Sequence, residues 1–117
     1  MAGMRANATG IREAGAELIR SLAATIARRF HPLRIILFGS HAYGRPHRDS
    51  DVDILVIMRP KANPARIRCA LPHEIPMDIL VRTPAEIRRR LSMGDPFIRE
   101  ILLKGRLLYD ARRKRVG

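Results

Sequence analysis

Apolar residues recur at two different periods along the chain, which predicts a mixture of helices and strands. After a loose leader over residues 1–8, they stand three and four positions apart, as on one face of a helix, at Ile11, Ala14, Leu18, Leu22, Ile26 and Phe30. Pro32 ends this helix. Short apolar runs predict strands over residues 34–38, 52–58, 75–81 and, as a final edge strand, 106–109. The second run is too apolar for an edge position, so we expect it to be central.

Helix-capping residues followed by proline mark the starts of further helices. These predicted helices cover residues 64–71 after Asn63, 84–91 after Thr83, and 97–104 after Asp95. Glu86 stands at capping-box spacing from Thr83, which strengthens the second prediction. A shorter helix is predicted to start with Ser40 as its cap and to end before Gly44.

The length of 117 residues predicts one domain, with a leader over residues 1–8 and a basic tail over 111–117. Hydrophobic residues make up 46% of the chain and aromatic residues only 4%, so aliphatic side chains should build the core. A domain of this size leaves no room for a separate substrate-binding domain. We therefore expect the second substrate to be met on an open surface or carried by a partner.

The formal net charge of +12 indicates anionic partners, among them nucleotides, nucleic acid or an acidic protein. The basic residues are spread along the chain with little aromatic interleaving, so RNA binding through them is the less favoured interpretation. Cys69 is the only cysteine, which excludes an intrachain disulfide and a thiolate zinc cluster. The sequence has no signal-peptide or membrane-spanning pattern, and we expect a cytoplasmic protein.

Candidate chemistry is concentrated between the first two predicted strands. Gly39 and Ser40 follow the first strand, and after ten intervening residues Asp51 and Asp53 open the second. Carboxylates separated by one residue on a strand point to the same face, about 6.6 Å apart, which is close enough to share a divalent cation. Gly39 would let phosphates approach the backbone, and Ser40 would donate its hydroxyl and amide to them. The pattern predicts metal-dependent phosphoryl or nucleotidyl transfer.

Asp78 stands within the third apolar run and would join the pair if the second and third strands are neighbours. Magnesium would compensate the repulsion among the carboxylates, and Asp78 would complete a metal position or accept the proton of the attacking hydroxyl. Arg45 and Arg48, in the intervening loop, are candidate partners of the leaving pyrophosphate.

Each of these residues also has a purely structural interpretation. Asp51 could cap a turn, and Asp78 could be an edge-strand residue that faces water. His41 and His47 fit solvent-facing loop residues better than metal ligands, because magnesium prefers oxygen.

Certain motifs of the chain resemble the signature of the polymerase β-type nucleotidyltransferase superfamily: residues 37–40, Gly44, residues 50–56 and residues 77–81. The small size and the ending over residues 97–109 are similar to its minimal nucleotidyltransferase (MNT) branch. The resemblance covers about residues 12–110. It implies an α/β (α+β) fold, with a short mixed sheet backed by helices as in the polymerase β palm.

The same resemblance implies ATP as nucleotide donor and Mg²⁺ held by Asp51, Asp53 and Asp78. Members of the MNT branch are often antitoxins that transfer AMP to a tyrosine of a HEPN-type toxin, a helical ribonuclease. That role is our leading expectation, and it makes such a toxin the expected partner. A non-catalytic antitoxin that neutralises by contact alone, and nucleotidyl transfer to a small molecule or RNA, remain the alternatives.

Overall fold

The protein folds into one mixed β-sheet with helices on both faces. A computed structural model describes residues 8–44, 51–113 and 115–116. The helices are α1 (Ala8–Phe30), α2 (Ser40–Tyr43), α3 (Pro64–Cys69), α4 (Pro84–Ser92) and α5 (Pro96–Lys104). The strands are β1 (Arg34–Phe38), β2 (Val52–Ile57), β3 (Met77–Arg82), β4 (Arg106–Asp110) and β5 (Arg115–Val116). The expected α+β class, with a short mixed sheet backed by helices, is confirmed.

The strands lie in the order β3-β2-β1-β4-β5, with β2 and β3 parallel and the other neighbouring pairs antiparallel. The prediction that β2 is an interior strand is confirmed, because β1 and β3 flank it. β3 is an edge strand of the described sheet. This order places the end of β1 beside the starts of β2 and β3, so the residues around these ends can form one site.

Side chains alternate between two hydrophobic cores, one on each face of the sheet. One core joins the even-numbered residues of β2 to α1 and α3, through Ile26 and Ile67 among others. The other joins Leu55 and Ile57 of β2 to Ile87 of α4 and Ile101 of α5. Residue 53 points to the face that α4 and α5 cover, because its side chain lies on the opposite face from that of residue 54.

The predicted caps of three helices are confirmed. The side chain of Asn63 accepts from the N–H of Ala65, and Asp95 accepts from the first turn of α5. Thr83 and Glu86 form the complete capping box, with hydrogen bonds of 3.1 and 2.9 Å. These local signals fix where α3, α4 and α5 begin.

Some predicted boundaries were wrong. Ser40 does not cap α2: Gly39 occupies the cap position without a side-chain hydrogen bond, and Ser40 is the first helical residue. β3 begins at Met77 rather than at residue 75. Within the expected basic tail, Arg115–Val116 pair with Tyr109 and Asp110 as strand β5, so β4 is not an edge strand. Ala8, assigned to the leader, is the first residue of α1.

None of the helices in the described part of the chain is long and apolar enough to cross a membrane.

Candidate active site

The carboxylates of the candidate site lie at one end of the sheet. Asp53 is the direct neighbour of Phe38 across the antiparallel β1–β2 pair, and of Asp78 across the parallel β2–β3 pair. Neighbouring residues of a sheet point to the same face, so Phe38, Asp53 and Asp78 form a row on the face covered by α4 and α5. Asp51 precedes β2 by one residue and is exposed. The expectation that Asp78 neighbours Asp53 therefore holds.

The purely structural interpretation of Asp78 is also met in part. It is exposed and belongs to an edge strand, as that interpretation requires. Its register with Asp53 nevertheless places it beside the half-buried carboxylate rather than alone in water. An edge position leaves this side of the site open to another molecule.

The carboxylates near this row act electrostatically on one another. Burial raises the pKa of Asp53 above its usual value, and the negative charges of Asp78 and Asp51 raise it further. His41 has the opposite, smaller effect, and lowers the pKa of Asp53. A carboxylate in such surroundings gains from a nearby cation, because positive charge favours its ionised form.

Gly39 closes the site on the side of β1. Its φ of +77° is a left-handed conformation that side chains rarely adopt. A Cβ at this position would lie 3.0 Å from Cγ of Asp53 and would collide with its Oδ2. The carbonyl of Gly39 accepts from the N–H groups of Ala42 and Tyr43, at 3.0 and 3.1 Å. The residue thus turns β1 into α2 and leaves bare backbone against the carboxylate.

The chain matches a known family. The sequence matches the model of the nucleotidyltransferase domain over residues 19–109, which is more than half of the chain. The protein is a member of the nucleotidyltransferase domain family. Its fold is similar to the crystal structure of a protein from Sulfolobus solfataricus assigned as a nucleotidyltransferase, with a TM-score of 0.62 and 19% identity over 91% of this chain and 88% of that one. A search of curated protein sequences found no match.

The remaining predicted site residues of this nucleotidyltransferase divide into two groups. Ser40 is half-buried and is the first residue of α2, directly after Gly39, and its contact with phosphates stays a prediction. Arg45 and Arg48 lie outside the described residues, as does His47. Their contact with pyrophosphate stays a prediction.

The side-chain oxygens of this site are ligands of the kind that magnesium prefers. Carboxylate oxygens are the ligands that magnesium prefers, and the burial and mutual repulsion around Asp53 are the conditions that a cation relieves. The described side chains do not close around a single point: among them, no group of three or more His, Cys, Asp or Glu is placed to hold a metal ion. The observed pairing is that of Asp53 with Asp78, and the metal remains a proposal.

Three contacts at this site were not predicted. His41 was interpreted as a solvent-facing residue, but it is half-buried and acts electrostatically on Asp53. The ring of Phe97 packs edge-on against Phe38, with 5.7 Å between ring centroids. The hydroxyl of Tyr43 donates to Oε2 of Glu100 at 3.4 Å. Helix α5 thus borders the site, a relation that only the tertiary fold establishes.

Proposed function

We propose that this nucleotidyltransferase transfers AMP from Mg-ATP to a hydroxyl group of a partner protein, and that it acts as the antitoxin of a HEPN-type toxin. The observation that carries the proposal is the register of Asp53 with Asp78 next to the bare backbone of Gly39. This combination brings negative oxygen ligands and a phosphate-accessible turn to the same end of the sheet. Such a site supports attack on a nucleoside triphosphate.

Asp51, Asp53 and Asp78 would hold the magnesium once their side chains turned toward a common ion. When bound, the ion neutralises the carboxylates and the phosphate oxygens and so allows the triphosphate to lie beside them. The backbone of Gly39 and the hydroxyl of Ser40 would orient the phosphates, because no Cβ intervenes at residue 39.

We assign Asp78 as the acceptor of the proton of the attacking hydroxyl. It is exposed at an edge strand, so an acceptor hydroxyl can approach it from solvent. As the acceptor oxygen bonds to the α-phosphorus, the bond from that phosphorus to the bridging oxygen of the β-phosphate breaks, and pyrophosphate leaves. The hydroxyl proton passes to the carboxylate of Asp78.

The choice of a protein acceptor is supported by the openness of the site. β3 is an edge strand of the described sheet, and Asp78 on it is exposed. A macromolecular acceptor can reach Asp78 from this edge. The assignment to a HEPN-type toxin and the choice of ATP follow from the resemblance to the MNT branch.

The test is a transfer assay with ATP labelled at the α-phosphate, magnesium and a purified HEPN-type protein encoded beside this one. We expect label on the HEPN-type protein with the wild type, and none with Asp53→Asn or Asp78→Asn. Glu17→Gln is the matched control, because it removes one exposed carboxylate from α1 and should leave transfer unchanged. Absence of label with the wild type, or label that persists in both site variants, would contradict the proposal.

The alternative of neutralisation by contact alone predicts a different result in cells. An Asp53→Ala variant would then protect against the toxin as well as the wild type does. Loss of protection with retained binding of the toxin supports chemistry.

A further inference from the structure

The hairpin formed by α4 and α5 exposes a concentration of large apolar side chains. Of the seven exposed large apolar residues in the described chain, four lie here: Leu91, Met93, Phe97 and Leu103. Met93 and Leu103 are the most exposed, at 71% and 73%. We call these four, with the exposed Arg88, Arg89 and Arg99, the hairpin surface. Concentrations of exposed apolar side chains on soluble domains mark binding surfaces.

Phe97 joins the hairpin surface to the candidate active site. Phe97 packs on Phe38, and Phe38 is the sheet neighbour of Asp53. A second link joins α5 to the turn after β1, through the hydrogen bond from Tyr43 to Glu100. A molecule that covers Phe97 therefore lies next to the row of Phe38, Asp53 and Asp78.

The hairpin surface has an excess of positive charge. Each acidic side chain of the hairpin already has a basic partner, in the pairs Glu86 with Lys61, Asp95 with Arg90, and Glu100 with Lys104. Within the described residues, the side chains of Arg88, Arg89 and Arg99 make no hydrogen bond or ion pair. Arg99 and Leu103 are one helical turn apart, so positive charge and apolar area share the outward face of α5.

These features select one kind of occupant. A second copy of the chain, docked through the same face, would bring the unpaired arginines together, which opposes association. Nucleic acid would match the arginines, but its phosphates gain nothing from the hydrocarbon of Leu103 and Met93. A protein surface with apolar and acidic side chains matches both features.

We infer that the hairpin surface docks an acidic, apolar face of the protein that carries the acceptor hydroxyl. The inference rests on the proposed transfer to a protein and gives that transfer its recognition surface. Docking beside Phe97 presents the partner to Asp53 and Asp78, so specificity is set by α4 and α5 rather than by the carboxylates.

The first experiment measures binding of a defined probe without ATP or magnesium. The probe is a fluorescent amphipathic helical peptide with leucines on one face and glutamates on the other, and the comparison peptide has lysines in place of the glutamates. We expect the acidic peptide to bind at least about tenfold more tightly, and Met93→Ser/Leu103→Ser to weaken it about tenfold. Arg99→Glu should reduce the preference for the acidic peptide.

The control is Leu33→Ser, which removes a less exposed leucine, 38% exposed against 73% for Leu103, at the end of β1 away from the candidate active site. It should bind the acidic peptide as the wild type does. Equal binding of the two peptides, or equal binding by Met93→Ser/Leu103→Ser and the wild type, overturns the inference. A homodimer that Leu103→Ser dissociates in sedimentation, or oligouridylate binding that Leu103→Ser abolishes, assigns the surface to another occupant and overturns it as well.

Docking and AMP transfer should be impaired by different substitutions. Asp53→Asn should bind the acidic peptide as tightly as the wild type while losing AMP transfer. Met93→Ser/Leu103→Ser should raise the KM for the protein acceptor about tenfold and leave kcat within about twofold. A lowered kcat at unchanged KM would place these residues in the chemistry and contradict a docking role.

Discussion

The backbone of Gly39 lies against the carboxylate of Asp53, with no space for a side chain between them. Gly39→Ala is therefore expected to displace Asp53 and to abolish nucleotidyl transfer. The left-handed φ of +77° adds a loss of stability of about 1–2 kcal/mol. Labelled transfer and urea denaturation measure the two effects.

Gly94→Ala separates strain from collision. Gly94 has a φ of +78°, but a Cβ there would meet no atom within 4 Å. This variant should lose only the stability that strain costs, about 1–2 kcal/mol, and keep its activity. If Gly94→Ala were as inactive as Gly39→Ala, backbone strain alone would explain the loss, and the contact with Asp53 would not matter.

Replacement of Asp53 is expected to separate activity from stability. Its raised pKa shows that the ionised carboxylate is less favoured in the folded protein than in the unfolded chain, because of burial and the charges of Asp78 and Asp51. In EDTA at pH 7, Asp53→Asn should be at least as stable to urea as the wild type, while transfer falls about a hundredfold or more. Magnesium should stabilise the wild type and not the variant. A variant that unfolds at markedly lower urea would show that the carboxylate has a structural role.

Asp110 makes the stability of the fold depend on pH in the acid range. This buried carboxylate, 3% exposed, accepts from the guanidinium and the backbone N–H of Arg112, which lower its pKa from 3.8 to about 2. Because the pKa in the folded protein lies below that in the unfolded chain, the stabilisation is complete above about pH 4 and is lost as the pH falls toward 2. The urea midpoint of Asp110→Asn should therefore lie below that of the wild type at pH 7, and the difference should shrink through this window.

Arg112→Gln is the companion variant for Asp110. It removes the guanidinium and keeps the backbone donor, so it should retain only part of the pH dependence. A difference between the wild type and Asp110→Asn that is the same at pH 7 and pH 3 would show that packing, rather than ionisation, gives Asp110 its effect.

The sequence predicted those parts of the fold that depend on neighbouring residues. Thr83 and Glu86 are three positions apart, and their capping box formed where the spacing placed it. The register of Asp78 with Asp53 required only that the second and third strands be neighbours, as expected. The contact of Tyr43 with Glu100 joins residues 57 positions apart, so no local pattern could indicate it. Strand β5, with two residues, is too short for an alternation to be recognised.

The cap of α2 was mispredicted for a conformational reason. Serine is a common cap residue, and Ser40 stands where a cap was expected. The sharp exit from β1 requires a positive φ at residue 39, so the glycine itself takes the cap position. The same requirement places bare backbone beside Asp53. The geometry of this turn therefore outweighs the local preference for serine at a helix cap.

Two residues of α5, two positions apart, should differ sharply in their contribution to folding. Ile101 is fully buried in the core below the site, whereas Leu103 is 73% exposed. Ile101→Ala should lower the free energy of unfolding by about 2–5 kcal/mol through lost burial and a cavity. Leu103→Ala should change it by less than about 0.5 kcal/mol. Urea denaturation of both variants measures this. A large loss for Leu103→Ala would mean that its side chain supports the fold, and the hairpin surface would then lose its most exposed apolar residue as a docking group.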